Sequence, residues 1–99
     1  MNVQFLDPAR AELEKAVDYY NIQSAGLGFE FAAEIKRTLG RIVCYPDAWR
    51  PLSKRTRRCR TNRFPYGIVY QVRGPLVLIV AIMHFHQHPA SWKSRLSLI

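Results

Sequence analysis

Ninety-nine residues, 48% of them apolar, can build one hydrophobic core but not two ordinary domains, so residues 1–99 are read as a single domain. All seven acidic residues lie at or before Asp47 beside five Lys and Arg, whereas Ala48 onward carries ten Lys and Arg and no acid; halves at −2 and +10 give the net +8 and attract polyanions or an acidic protein partner. The longest apolar run, Leu76 to Met83, is too short to cross a bilayer and no secretory signal pattern opens the chain, so the expectation is a soluble, cytoplasmic protein with no membrane partner.

Val3 to Leu6 is short and β-rich. Asp7-Pro8 then predicts a helix start, with Asp7 as the N-cap and proline at the first helical position. Leu13, Ala16, Val17 and Tyr20 form one apolar stripe at helical spacing, with Arg10, Glu14, Lys15 and Asp18 largely outside it. This helix ends before Gly26-Leu27-Gly28. Phe31, Ile35, Leu39 and Ile42, with Ala32 and Val43, predict a second helix stopped by Pro46, and the two make an antiparallel hairpin. Cys44 and Cys59 lie fifteen positions apart, with no zinc or redox spacing, and are expected as reduced thiols with Cys44 packed in the core.

Beyond Pro51 the period changes. Thr56 to Arg63 reads as a strand with its charged side facing water. Tyr66, Ile68 and Tyr70 alternate with Gly67, Val69 and Gln71, and after the break at Arg73-Gly74-Pro75 the unbroken apolar run Val77 to Met83 predicts a central strand covered on both sides. The expected fold is α+β, in the order β-α-α-β-β-β, with the helical hairpin packed on one face of a small, mainly antiparallel sheet.

Lys54, Arg55, Arg57, Arg58, Arg60 and Arg63 form the densest positive cluster. Arginine suits phosphate because its planar guanidinium makes bidentate, permanently charged contacts. On a strand, Arg58 and Arg60 share one face and Arg57 takes the other. The same residues also suit a solvated edge whose charges block aggregation, and the run alone leaves both readings open. His84, His86 and His88, spaced by two, would line one face of an extended backbone, a pattern that can bind zinc. No Cys or acid nearby completes a ligand set and Pro89 ends the strand, so no metal is expected. His84 is instead a strand-end general acid or base, or a hydrogen-bonded structural group. Trp49, Trp92 and Tyr70 could stack on bases in a positive groove; the packing alternative puts Tyr70 in the core and Trp92 over an exposed edge. With no Gly-rich phosphate loop, paired carboxylates or serine elbow, no cofactor is expected, and hydrolysis by acids or a metal pair is disfavoured.

Several motifs then fall into an order that resembles one family. They are Tyr19-Tyr20; Gly26-Leu27-Gly28 with Phe31; Ile42-x-x-Tyr45-Pro46 followed by Trp49; and Arg58-x-Arg60-x-x-x-Phe64-Pro65-Tyr66-x-Ile68-x-Tyr70. The apolar strand ending in His84, and Pro89 with Trp92 and Arg95, complete the set. Over nearly its whole length the chain resembles the RelE/ParE toxin superfamily of plasmid-stabilisation and type II toxin-antitoxin systems. The resemblance implies a growth-inhibiting toxin neutralised by an antitoxin encoded beside it, whose acidic tail wraps the basic toxin in a hetero-oligomer.

It also implies one of two targets. RelE-like proteins cut messenger RNA in the ribosomal A site, whereas ParE-like ones inhibit DNA gyrase without known catalysis of their own. For RNA cleavage, Arg58 and Arg60 would stabilise a phosphorane-like transition state while His84 moved protons. Lys54, Arg55, Arg57, Arg63, Trp92 and Arg95 would supply the basic surface for antitoxin or nucleic acid. Relatives with this C-terminal pattern often carry arginine two to four residues after the histidine and tyrosine just before the tryptophan; this chain has Gln87, His88 and Ser91 there. With those groups missing, the expectation is a ParE-like, gyrase-directed toxin. The alternatives are a RelE-like endoribonuclease and a non-toxic basic nucleic-acid-binding module.

Overall fold

Alternation between strand-forming and helix-forming patterns gives a chain that lays down one edge strand, crosses through two helices and returns to build the rest of a sheet. A computed structural model describes residues 1–87 and 91–96. Strand β1 spans Asn2–Phe5, helices α1 and α2 span Asp7–Gln23 and Leu27–Cys44, strands β2 to β5 span Arg50–Pro51, Thr56–Arg60, Tyr66–Arg73 and Leu76–His84, and a short helix α3 spans Lys93–Leu96. The sheet order is β1-β5-β4-β3-β2. Only β1 pairs in parallel, against β5, and the three other ladders are antiparallel. The α+β architecture with a helical hairpin on a mainly antiparallel sheet is therefore the one the sequence predicts.

The hairpin is tight for a local reason. A Cβ on Gly28 would fall 2.1 Å from the Val17 carbonyl oxygen, so only glycine lets α2 start this close to α1. The same approach brings the Gly28 N–H to the Asn21 side-chain oxygen at 2.8 Å. Ala9, Ala16, Phe31, Ile35 and Ile42 then bury against Ile68, Tyr70, Val77, Ile79 and Ile82 of the sheet, with Leu13, Val17 and Tyr20 packed at the margin. Burying side chains of this size contributes about 1.5–3 kcal/mol each, which makes this layer the main source of stability.

One irregularity shapes both faces. Val69 pairs with Ala81 but Tyr70 with Ile79, so Val80 is an extra residue in β5. Ile79 and Ile82 consequently both face the helices, while Val80 and Ala81 both face away, where Val69, Met83 and the buried Trp92 cover them with Leu6, Leu52 and Leu96.

Three expectations need correction. Leu6, not Asp7, occupies the N-cap of α1 and no side chain caps that end; Asp7 is already helical, where its carboxylate still favours the positive end of the helix dipole. Cys44, expected in the core, is exposed at the end of α2, and it is Cys59 that points into the core from β3. The strand expected over Thr56 to Arg63 stops at Arg60, since Thr61 turns the chain by donating its hydroxyl to the Phe64 carbonyl oxygen at 2.5 Å. The two-residue strand β2 and the helix α3 carry no pattern long enough to read from sequence. Among the described residues, no helix is long and apolar enough to cross a membrane.

Candidate binding surfaces

Strand alternation decides where the arginines go. Arg58 pairs with Val69, Arg60 with Gly67 and Arg50 with Arg58, so Arg50, Arg58 and Arg60 lie on the face away from the helices. There the Arg60 guanidinium sits 4.2 Å from the Phe85 ring centroid and that of Arg58 5.9 Å from it. The Arg58 stem lies across Gly67, where a Cβ would come within 2.9 Å of its Cδ. Its Nε is buried with no hydrogen-bond partner. Burial, and then the charges of Arg50 and Arg60, push the Arg58 pKa below the usual arginine value. None of the ion pairs among the described residues involves these three side chains. This is a cationic patch with no internal counter-ion, held together against its own repulsion.

A second cationic site lies beyond the end of the helical hairpin. Lys54, Arg55, Arg57 and Arg73 line a concavity of about 660 Å³ together with Asp47, Tyr70 and Val72. Arg57 is fixed by donating to the Trp49 carbonyl oxygen at 2.8 Å. Arg73 is held by the Gln71 side-chain oxygen at 2.8 and 3.0 Å, and the Gln71 amide is itself anchored on Thr56. Tyr70 forms part of the wall, but its hydroxyl donates to the Pro46 carbonyl oxygen, and burial pushes its pKa up to about 12. It is a structural group rather than a proton-transfer group near neutral pH.

His84 occupies a different place. It pairs with Tyr66 at the end of β5 on the helix side of the sheet, where the two rings meet edge-on at 5.1 Å. A groove of about 520 Å³ runs beside it, walled by Tyr19, Tyr20, Tyr66 and Lys15, with Glu12, Ile82 and Gln87 along its floor and rim. Burial, then the neighbouring Tyr20 and Tyr19, raises the Tyr66 pKa. His84 Nδ1 accepts the His86 backbone N–H at 3.0 Å, so the ring proton of the neutral form belongs on Nε2. The strand ends at His84, and the His86 ring stacks on His84 instead of continuing an extended row. His88 and Pro89 lie outside the described residues.

A sequence model of the ParE toxin of the type II toxin-antitoxin system parDE matches residues 3–89. The chain belongs to this family. A solved structure described as the chromosomal ParDE toxin-antitoxin system from P. aeruginosa superposes with a TM-score of 0.74 at 19% identity, covering 85% of this chain and 95% of that one. At that identity the likeness speaks for the fold, and the β-α-α-β-β-β order agrees with it. No curated protein matches the chain.

Within this ParE-type fold the nominated residues separate into groups. Arg58 and Arg60 come together, and Lys54, Arg55 and Arg57 come together elsewhere, but His84 stands on the opposite face from Arg58 and Arg60. Arg63 pairs with Glu30 and lies over Phe64. Arg95 donates to both Glu12 carboxylate oxygens at 2.7 and 2.9 Å, and Trp92 is 3% exposed beneath α3, so neither presents the open basic surface expected of it. Trp92 covers a sheet face rather than an edge. Trp49 packs at the core margin under the Arg41 guanidinium.

Sequence reasoning overlooked Arg50, Phe85, Arg73 and Glu34. Burial works to raise the Glu34 pKa, but hydrogen bonds from the Asn62 N–H at 2.6 Å and from Arg37 hold it below the usual carboxylate value. That carboxylate ties α2 to the loop after β3. Its partner lies 28 positions away, and no local pattern announces such a contact.

Proposed function

We propose that this chain is the toxin of a type II toxin-antitoxin pair, a single cytoplasmic domain that inhibits growth by binding rather than by cutting RNA, with DNA gyrase as its target. An acidic-tailed antitoxin neutralises it in a hetero-oligomer. The observation that carries the binding mode is the placement of Arg58 and Arg60 on one face of the sheet and His84 on the other. RNA cleavage needs the proton-moving group and the cations converging on one phosphate within hydrogen-bond reach, and side chains that leave the sheet on opposite faces point away from a common phosphate. The uncompensated patch of Arg50 with Arg58 and Arg60, the latter two over Phe85, suits a binding surface that finds its counter-charges on a partner.

The test is a gyrase supercoiling assay with purified protein beside a ribosome-programmed cleavage assay. Supercoiling is expected to stop at stoichiometric toxin. Arg58→Ala combined with Arg60→Ala is expected to weaken inhibition at least tenfold, while His84→Ala leaves it within twofold. Supercoiling unaffected by saturating protein overturns the gyrase assignment. Transcript cleavage abolished by His84→Ala overturns the binding mode and restores the endoribonuclease reading.

A further inference from the structure

The cationic concavity beyond the end of the helical hairpin is separate from the patch of Arg50, Arg58 and Arg60. Tyr70 faces the helices, and Arg57, its partner in the β3–β4 register, leaves the sheet on that same side, opposite to Arg58 and Arg60. Val72, two positions further along β4 and on the same face as Tyr70, stays exposed on the floor of the concavity. Lys54 and Arg55 reach it from the turn between β2 and β3, where both are exposed.

Its charge is one-sided. Lys54, Arg55, Arg57 and Arg73 line it against a single carboxylate, Asp47, a surplus of three positive charges around about 660 Å³. None of the ion pairs among the described residues involves any of these five side chains. Cations gathered around one hollow without counter-ions repel one another and raise the local potential, which a bound anion relieves. Two of the guanidiniums are also fixed in advance. Arg57 spends Nη1 on the Trp49 carbonyl oxygen, which leaves its Nε and Nη2 for a ligand. Arg73 stands at the rim with Nε and Nη2 on Gln71 Oε1, and Gln71 is anchored in turn on the fully buried Thr56. Side chains that the fold has already ordered lose little further freedom when an anion binds.

We propose that this concavity binds a linked chain of two or three phosphates, free or carried by a nucleotide, with Lys54, Arg55 and Arg57 as direct contacts and Arg73 adding its field at the rim. A lone carboxylate would neutralise only one of the three surplus charges, whereas a diphosphate or triphosphate brings about three or four negative charges in one compact group. Guanidinium offers paired N–H groups that match phosphate oxygens, and the Lys54 ammonium adds a mobile point charge. The volume lies within the range of about 300–1,000 Å³ usual for small-molecule sites. A nucleic-acid duplex fits less well, because its phosphates run in a row along a helix while these cations surround one hollow. Val72 gives the floor an apolar spot that the sugar or base of a nucleotide covers and a free phosphate chain does not.

Isothermal titration calorimetry of the full chain at physiological salt tests this with three probes: inorganic tripolyphosphate, a nucleoside triphosphate and a short DNA duplex. Both small anions are expected to bind with one-to-one stoichiometry. Lys54→Ala combined with Arg55→Ala, which touches only exposed turn residues, is expected to weaken binding about tenfold, and Asp47→Ala to tighten it about threefold. Lys15→Ala combined with Lys36→Ala removes as many charges from exposed helix positions and is expected to leave affinity within about twofold. Equal affinity for the two small anions supports a site that reads the phosphate chain alone; tighter binding of the nucleotide supports one that also takes the nucleoside on Val72. Binding of neither small anion, binding of the duplex only, or equal losses from the two double variants overturns the site. Each of those failures leaves the toxin assignment intact, because that assignment does not use this concavity.

Discussion

The two faces of the sheet use arginine in opposite ways. On the helix side and around its margins, Arg37, Arg41, Arg63 and Arg95 are tied to carboxylates, side-chain oxygens or main-chain carbonyls: Arg37 to Glu34, Arg41 to Thr38 and the Arg60 carbonyl, Arg63 to Glu30, and Arg95 to Glu12 and the Val80 carbonyl. On the far face Arg50, Arg58 and Arg60 have no carboxylate partner among the described residues, Arg58 and Arg60 lie over one phenylalanine, and Arg50 adds its charge beside Arg58. Most acids lie on α1 and α2, so the helical layer neutralises what it touches and leaves the uncovered face charged. The lesson is that residues of one type within a few positions of each other can hold the fold together or remain available for a partner, depending on which layer lies above them.

That contrast predicts effects of graded size. The helix-side core is the most sensitive: Phe31→Ala removes a fully buried ring that meets Tyr20, Phe64 and Tyr66, and is expected to cost about 3–5 kcal/mol by denaturant unfolding. Next is Glu34→Ala, which leaves the Asn62 N–H and Arg37 without their acceptor and is expected to cost about 2 kcal/mol at neutral pH. Because the folded-state pKa of Glu34 is depressed, its contribution is full above the ordinary carboxylate pKa and is lost as pH falls through the depressed value. Mutant and parent unfolding curves should therefore converge in acid; a gap that stays constant down to pH 2 would show that lost packing, not charge, caused the effect.

On the far face the sign changes. Arg58→Met removes an unpartnered buried Nε and a like-charge repulsion while keeping most of the stem, and is expected to alter stability by less than about 1 kcal/mol, toward stabilisation. Toxicity is expected to fall in the same variant. A loss of stability comparable to that of Glu34→Ala would mean that Arg58 is a structural residue and would erase the difference between the faces. The smallest effect belongs to the exposed Arg63 and Glu30 pair, where Arg63→Ala is expected to change the unfolding free energy by no more than about 0.5 kcal/mol.

Much of this protein was legible along the chain because it depends on short-range periodicity. The stripe Leu13, Ala16, Val17, Tyr20 predicted the buried side of α1, and the unbroken run in β5 predicted a strand covered on both faces. The alternation of Arg57, Arg58, Cys59 and Arg60 placed Arg58 and Arg60 together. The site was less legible. Arg95 looks like any basic residue near a C-terminus until Glu12, 83 positions away, claims it. Cys44 and Cys59 are equally apolar in sequence, and only the position of the helix end relative to the sheet exposes one and buries the other.

Charge asymmetry, element order and family membership follow from the amino-acid sequence by itself, because each rests on residue identity and on spacings of a few positions. Tertiary structure alone decided that His84 leaves the sheet on the opposite face from Arg58 and Arg60, that Trp92 is a cover rather than a stacking platform, and that main-chain groups of β5 beyond Ile79 are met by Glu12, Gln87 and Arg95. Those outcomes turn on one bulge at Val80, which reverses the side-chain alternation of β5, and on where β1 runs out. Neither is written into any local pattern: a bulge costs a single residue, and a strand's end is set by the helix that follows having to reach its place on the sheet.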